Sequence, residues 1–121
     1  MAIYQTRLDQ TFQALSDPTR RAIVARLCLG SASVSELAQP FRMAMPTLLR
    51  HIGVLESSGL IGTQKIGRVR RCVIAAAVLA ETQAWLQEQH AVWESRLDRL
   101  EAYALHLNEQ ETDHARQKSR K

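Results

Sequence analysis

Cysteine is scarce in this chain, and its two copies stand apart. Cys28 and Cys72 are the only thiols among 121 residues, and neither sits in a CxxC or CxC pair. Two cysteines cannot staple a domain of this size, so disulfide scaffolds are excluded and a reducing interior is expected. Aromatic residues are few, at 5%. No apolar run approaches the roughly 20 residues needed to span a membrane. The opening MAIYQTRLDQ lacks the basic-then-apolar order of a secretory signal, and the expected location is therefore cytoplasmic. The equipment of an enzyme is missing too. There is no serine–histidine–acid set and no glycine-rich phosphate loop, and His51, His90, His106 and His114 are scattered. No catalytic residue, metal ligand set or cofactor is called for.

What the chain does have is segregated charge. The net charge is +4, but residues 1–74 carry ten Lys/Arg against four Asp/Glu, residues 75–107 two against five, and residues 108–121 four against three. Positive charge gathered in the first part of the chain argues for a polyanionic partner on one side of the molecule. The densest run is KIGRVRR, residues 65–71, with four cations, no acid and a central glycine.

Hydrophobic spacing predicts mostly helix. Tyr4, Leu8, Thr11/Phe12 and Leu15 recur at helical intervals until Ser16-Asp17-Pro18 interrupts them. Asp17 is a good N-cap and Pro18 suits the first position of a second helix, whose inward face carries Ile23, Val24, Leu27 and Cys28 before Gly30 ends it. Ser33-Val34-Ser35-Glu36 reads as a capping box opening a short third helix with Val34, Leu37 and Ala38 inward. Pro46 marks the first turn of a fourth, with Met45, Leu48, Ile52 and Leu55 as its inward stripe. Two helices joined by so short a turn make a helix-turn-helix. After Gly59 the period changes: LIGTQKI and VRRCVI are β-prone runs joined by Gly67-Arg68, the order a type II′ hairpin turn wants. From about Ala75 to Leu107 the pattern is a long helix. In it Trp93, Leu97, Leu100, Ala104 and Leu107 keep the a/d spacing of a coiled-coil seam. The expected domain is 1–107, with 108–121 a polar, frayed tail.

LSDPTRRAIVARL (15–27), SVSELAQPF (33–41), MPTLLRHIGVLESSGLI (45–61) and GRVRRCVI (67–74) together resemble the ArsR (arsenical-resistance repressor) family of winged-helix regulators. The likeness covers roughly residues 5–107 in order. The long last helix is similar to a branch of that family without the metal-binding cysteines. The resemblance implies a fold that is mainly α with a small β-hairpin, a winged helix-turn-helix with a long C-terminal dimerisation helix. It also implies a homodimer, paired through the first and last helices, that binds operator DNA and represses transcription.

On that expectation the fourth helix, 44–58, enters the major groove of a pseudo-palindromic operator, and the wing, 61–74, follows the backbone. Arg50 is suited to a guanine edge or a phosphate, and Thr47 to a thymine methyl or a phosphate. His51 lies on the flank of that helix. Ser33 and Ser35 offer hydroxyl and backbone donors to phosphate. Lys65, Arg68, Arg70 and Arg71 form the basic wing, with Arg68 and Arg70 on a similar side. Leu8 and Phe12 of the first helix, with Trp93, Leu97, Leu100, Ala104 and Leu107 of the last, are the expected dimer interface.

Departures from the family pattern fall at Ala44, a poor N-cap, at Leu49, which has no hydrogen bond to offer, and at Gly53, where the family often has arginine. The cysteine pair of the metal-sensing relatives is replaced by SVSELA. Glu88-Gln89-His90 and His106-Leu107-Asn108-Glu109 are only faint echoes of the family's other metal site. No small-molecule effector is identifiable. The alternatives kept open are a winged-helix module that binds protein or RNA and a metal- or redox-responsive sensor of the same family.

Overall fold

The computed structural model describes residues 2–119, with side chains from Gln5 onward. The Tyr4 side chain, expected to open the stripe of the first helix, lies outside the described residues. The elements run α1 (Ala2–Ala14), α2 (Pro18–Leu27), β1 (Ala32–Ser33), α3 (Val34–Ala38), α4 (Met45–Ser57), β2 (Ile61–Ile66), β3 (Val69–Ile74) and α5 (Ala76–Ser119). The described residues fall into two units, 2–83 and 84–119.

The break between the first two helices is held by side chains. Asp17 caps α2 by accepting the Arg20 backbone N–H at 3.0 Å, with Pro18 in the first turn. Arg20 and Arg21 then turn back on the end of α1. Arg20 Nε donates to the Ala14 carbonyl at 2.7 Å, and Arg21 Nη1 to that of Leu15 at 2.9 Å. Orphan carbonyls at a helix C-terminus need such donors, and a guanidinium suits the negative end of the helix dipole.

The core lies wholly in the first unit. Ile23, Val24 and Leu27 of α2, Leu37 of α3, and Leu48, Ile52 and Leu55 of α4 meet Leu60, Ile61 and Cys72 of the sheet region, with Ala14 and Ala32 in the gaps. Each of the larger side chains contributes about 1.5–3 kcal/mol by leaving water. Two residues expected to face inward do not. Cys28 is exposed, because it is the C-cap of α2 and its helical face has run past the core. Met45 is 44% exposed, being on the first turn of α4 at the margin of the stripe.

The sheet has one strand more than the expected hairpin. Its order is β1-β3-β2, antiparallel throughout. Ala32 pairs with Cys72 and Ser33 with Arg71, since the chain entering α3 is extended and Ala32 is small enough to be buried there. Ile66 pairs with Val69 across Gly67-Arg68. Gly67 has φ +63°, and no non-glycine residue among those described has positive φ, the pattern of a type II′ turn.

Ser33 also caps α3, its Oγ accepting the Glu36 N–H at 3.1 Å and donating to Glu36 Oε1 at 3.2 Å. The glutamate meets the serine hydroxyl rather than its backbone N–H, which belongs to a strand residue. Helix α5 runs through residues 108–119, where composition alone reads as fraying. Thr112 and Ser119 hydroxyls donate to carbonyls one turn back, and Arg116 and Lys118 occupy the last turn, where cations suit the helix dipole.

Candidate nucleic-acid interface

Helix α4 has one buried edge and one free face. With Leu48, Ile52 and Leu55 in the core, Pro46 and Arg50 lie exposed on the outer side, and Thr47 is half-buried. Nothing caps its start: Ala44 makes no side-chain bond to the first-turn amides. Val54, with no place in the core stripe, lines a groove of about 500 Å³ with Gln10 and Gln13 of α1 and with Arg50 and Gly53. An added Cβ at Gly53 would meet nothing within 4 Å.

His51 does not share the free face. Its Nδ1 lies 3.3 Å from Arg20 Nη1 and 3.8 Å from Asp17 Oδ2. The Arg20 backbone N–H, foremost among several causes, holds the Asp17 carboxyl below its ordinary range. The ring thus joins α4 to the capped start of α2, because one residue's step along the helix turns it from the outer face toward α2.

The wing's four cations fall into two pairs. Arg70 Nη2 donates to Glu56 Oε2 of α4 at 3.0 Å, and the Thr63 hydroxyl donates to the same oxygen at 2.7 Å. The Thr63 bond, ahead of Arg70, holds the Glu56 carboxyl below its usual value. Arg71 Nη2 donates to Ser31 Oγ at 3.1 Å, and its Nη1 lies 3.9 Å from Glu36. These two arginines bind the sheet to α4 and to the α3 entrance. Among the described residues, Lys65 and Arg68 make no such bond, and neither do Arg50 or Arg42. Of the ten cations in residues 1–74, Arg7, Arg20, Arg21, Arg26, Arg70 and Arg71 are tied to carbonyls or carboxylates, which leaves these four.

Arg42 is not legible from the sequence, because a single arginine in the connector PFRM has no periodic signal. Nor is the role of Glu56, because nothing local says that a helix acid will meet Thr63 and Arg70. Ser33 is engaged as a cap, while Ser35 is exposed at the mouth of a cleft that Met45, Leu49 and Arg68 also line.

In the first unit Leu8 is half-buried and Phe12 is 37% exposed. In the second, Trp93, Leu97, Leu100 and Leu107 are 43–54% exposed, and Ala104 is exposed with them. Arg96 lies 5.9 Å from the Trp93 ring centroid, near the outer limit for a cation–π contact. Glu88, His90, His106 and Glu109 all lie exposed on α5. His90 meets Glu94 at 3.4 Å and His106 meets Gln110 at 3.1 Å. Among the described residues, no three His, Cys, Asp or Glu side chains are grouped as a metal site, and no helix is long and apolar enough to cross a membrane. Burial pushes the Cys72 thiol up, away from the reactive thiolate form.

Helix pair, exposed α4 face and basic hairpin define a winged helix-turn-helix module of the class found in transcriptional regulators. Residues 15–63 match a helix-turn-helix domain family. The crystal structure of the ArsR family transcriptional regulator RHA00566 superposes with a TM-score of 0.70 at 53% identity, covering 73% of this chain and 97% of that one. The arsenical resistance operon repressor of Escherichia coli is 34% identical over 89 residues, 69% of this chain and 76% of the repressor. The HTH-type transcriptional regulator Rv2034 of Mycobacterium tuberculosis is 40% identical over 62 residues, 51% of this chain; that stretch spans 58% of the mycobacterial protein, little more than half its length. The chain belongs to the ArsR family of transcriptional regulators.

Proposed function

We propose that this chain is a sequence-specific, DNA-binding repressor of transcription that acts in the cytoplasm as a homodimer. Helix 44–58 lies in the major groove of a pseudo-palindromic operator and wing 61–74 lies along the backbone. The observation that carries the reading is the set of cations that are untied among the described residues, Arg42, Arg50, Lys65 and Arg68, on the connector, the outer face of α4 and the wing. A guanidinium or ammonium left without a protein partner is available to phosphate, and releasing condensed counterions supplies most of the affinity. Arg50 supplies base contact, while Lys65 and Arg68 supply phosphate contact, with Ser35 beside them. Arg70 and Arg71 serve by holding the wing in place. The heptad face of α5 pairs with a second copy, with Leu8 and Phe12 contributing from α1. Without a cysteine in Val34–Ala38, the chain fits the branch of the family lacking the metal-binding cysteines.

The test is a titration against the duplex upstream of its own gene and a scrambled duplex, at two salt concentrations. Selective binding is expected, with log K falling steeply with log salt. Arg50→Ala should cost selectivity, about 1–3 kcal/mol, and Arg68→Ala should lower the salt slope by about 1. Failure to prefer any duplex, genomic fragments included, would overturn the reading and favour a protein-binding winged helix.

A further inference from the structure

We infer that α4 selects thymine through the C5-methyl group, with Leu49 and Met45 as the reading side chains. The inference rests on the DNA-binding reading above and names the base chemistry that this face takes. Leu49 is 39% exposed and Met45 44% exposed, one helical turn apart and so side by side. They form the floor of a cleft of about 620 Å³ that runs between the start of α4 and the wing, closed by Val34 and Val69, with Ser35 and Arg68 at its rim.

Neither side chain is needed by the core, which closes on Leu48, Ile52 and Leu55 beneath them. Two large apolar groups in water are a cost without a partner; beside them Arg68 makes no bond among the described residues, Arg70 is held by Glu56, and no carboxylate is among the residues that line the cleft. The charge around it therefore admits a polyanion. In the major groove of a duplex the one apolar group on a base edge is the thymine methyl; guanine, adenine and cytosine present polar donors and acceptors.

Leucine and methionine cannot answer those polar edges. Pressed against guanine or cytosine they would strip water from hydrogen-bonding groups and return nothing. Against thymine they exclude water from a methyl group and gain. Arg50, on the outer face of the same helix, retains the hydrogen-bonding role. The face is then divided by chemistry into a polar reader and, on the wing side, a methyl reader.

The experiment begins by selecting binding sites from a random duplex pool with the full-length protein. Each thymine of the selected half-site is then replaced by uracil, which keeps the pairing and the donor–acceptor pattern and loses only the methyl. Affinity should fall about fourfold for each methyl that the protein buries. In the Leu49→Ala and Met45→Ala variants, both on exposed positions, the thymine–uracil difference should disappear at the corresponding base while salt dependence is unchanged. Equal affinity for thymine and uracil duplexes, or a difference that survives both variants, overturns this inference and leaves the DNA-binding reading standing. Failure to select any duplex overturns both.

Discussion

The two units of this molecule solve the hydrophobic problem in opposite ways. Residues 1–83 bury Ile23, Leu27, Leu37, Leu48, Ile52, Leu55 and Leu60 almost completely. Residues 84–119 are one stretch of helix on which Trp93, Leu97, Leu100 and Leu107 stay about half in water. The first unit uses its pattern to close on itself. The second carries an equally regular pattern, spaced for a seam, with nothing in its own unit to receive it. A helix gains most of its stability by packing an apolar face, so regular spacing alone does not say whether a stripe is a core or an interface.

That contrast can be broken from either side. Leu48→Ala should cost about 2–5 kcal/mol in urea unfolding, through lost transfer energy and a residual cavity, and the same loss should appear at every protein concentration. If α5 pairs with a second copy as proposed, Leu97→Asp should instead raise the dissociation constant of that dimer by about 100-fold or more in sedimentation equilibrium, because a carboxylate in the seam would be desolvated without a partner. If that variant stayed as associated as the parent, α5 would not be the pairing surface.

Smaller changes sharpen the picture within the first unit. Ala44→Ser should stabilise by about 1 kcal/mol by supplying the missing N-cap of α4, seen as a higher urea midpoint with unchanged slope. Glu56→Gln should cost less than about 1 kcal/mol, because the Arg70 and Thr63 contacts are partly exposed. The Glu56 carboxyl is held below its ordinary value of 4.5, chiefly by the Thr63 hydroxyl. Its contribution is therefore full above that value and is lost as pH falls through the depressed one. The pH dependence of unfolding below about 4.5 should flatten in the Gln variant; an unchanged profile would show that the tie is absent in solution.

Much of this could be seen in the residues alone. The Asp17-Pro18 break, the Ser33 cap, the α4 stripe from Leu48 to Leu55 and the Gly67-Arg68 turn all follow from local rules, because capping, periodicity and turn chemistry act within a few residues. The candidate site was legible in part. The position of Arg50 on the outer face follows from helical projection. The retreat of His51 toward Asp17 and Arg20 does not, since those partners sit 34 and 31 positions away in the chain. Nor could β1 be found, because a two-residue strand has no pattern of its own and exists only through pairing with Arg71 and Cys72.

The helices, the wing hairpin and the amount of positive charge in residues 1–74 follow from the residues alone, because hydrophobic period, caps, turn chemistry and net charge are properties of the chain. Only the tertiary structure decided how that charge is used. Arg20 and Arg21 are spent on the end of α1, Arg70 on Glu56 and Arg71 on Ser31, while Arg42, Arg50, Lys65 and Arg68 remain untied among the described residues. A formal charge is the same wherever it sits. Its availability to a partner depends on which carbonyls and carboxylates the fold brings within 3 Å or so, and that is a matter of long-range geometry.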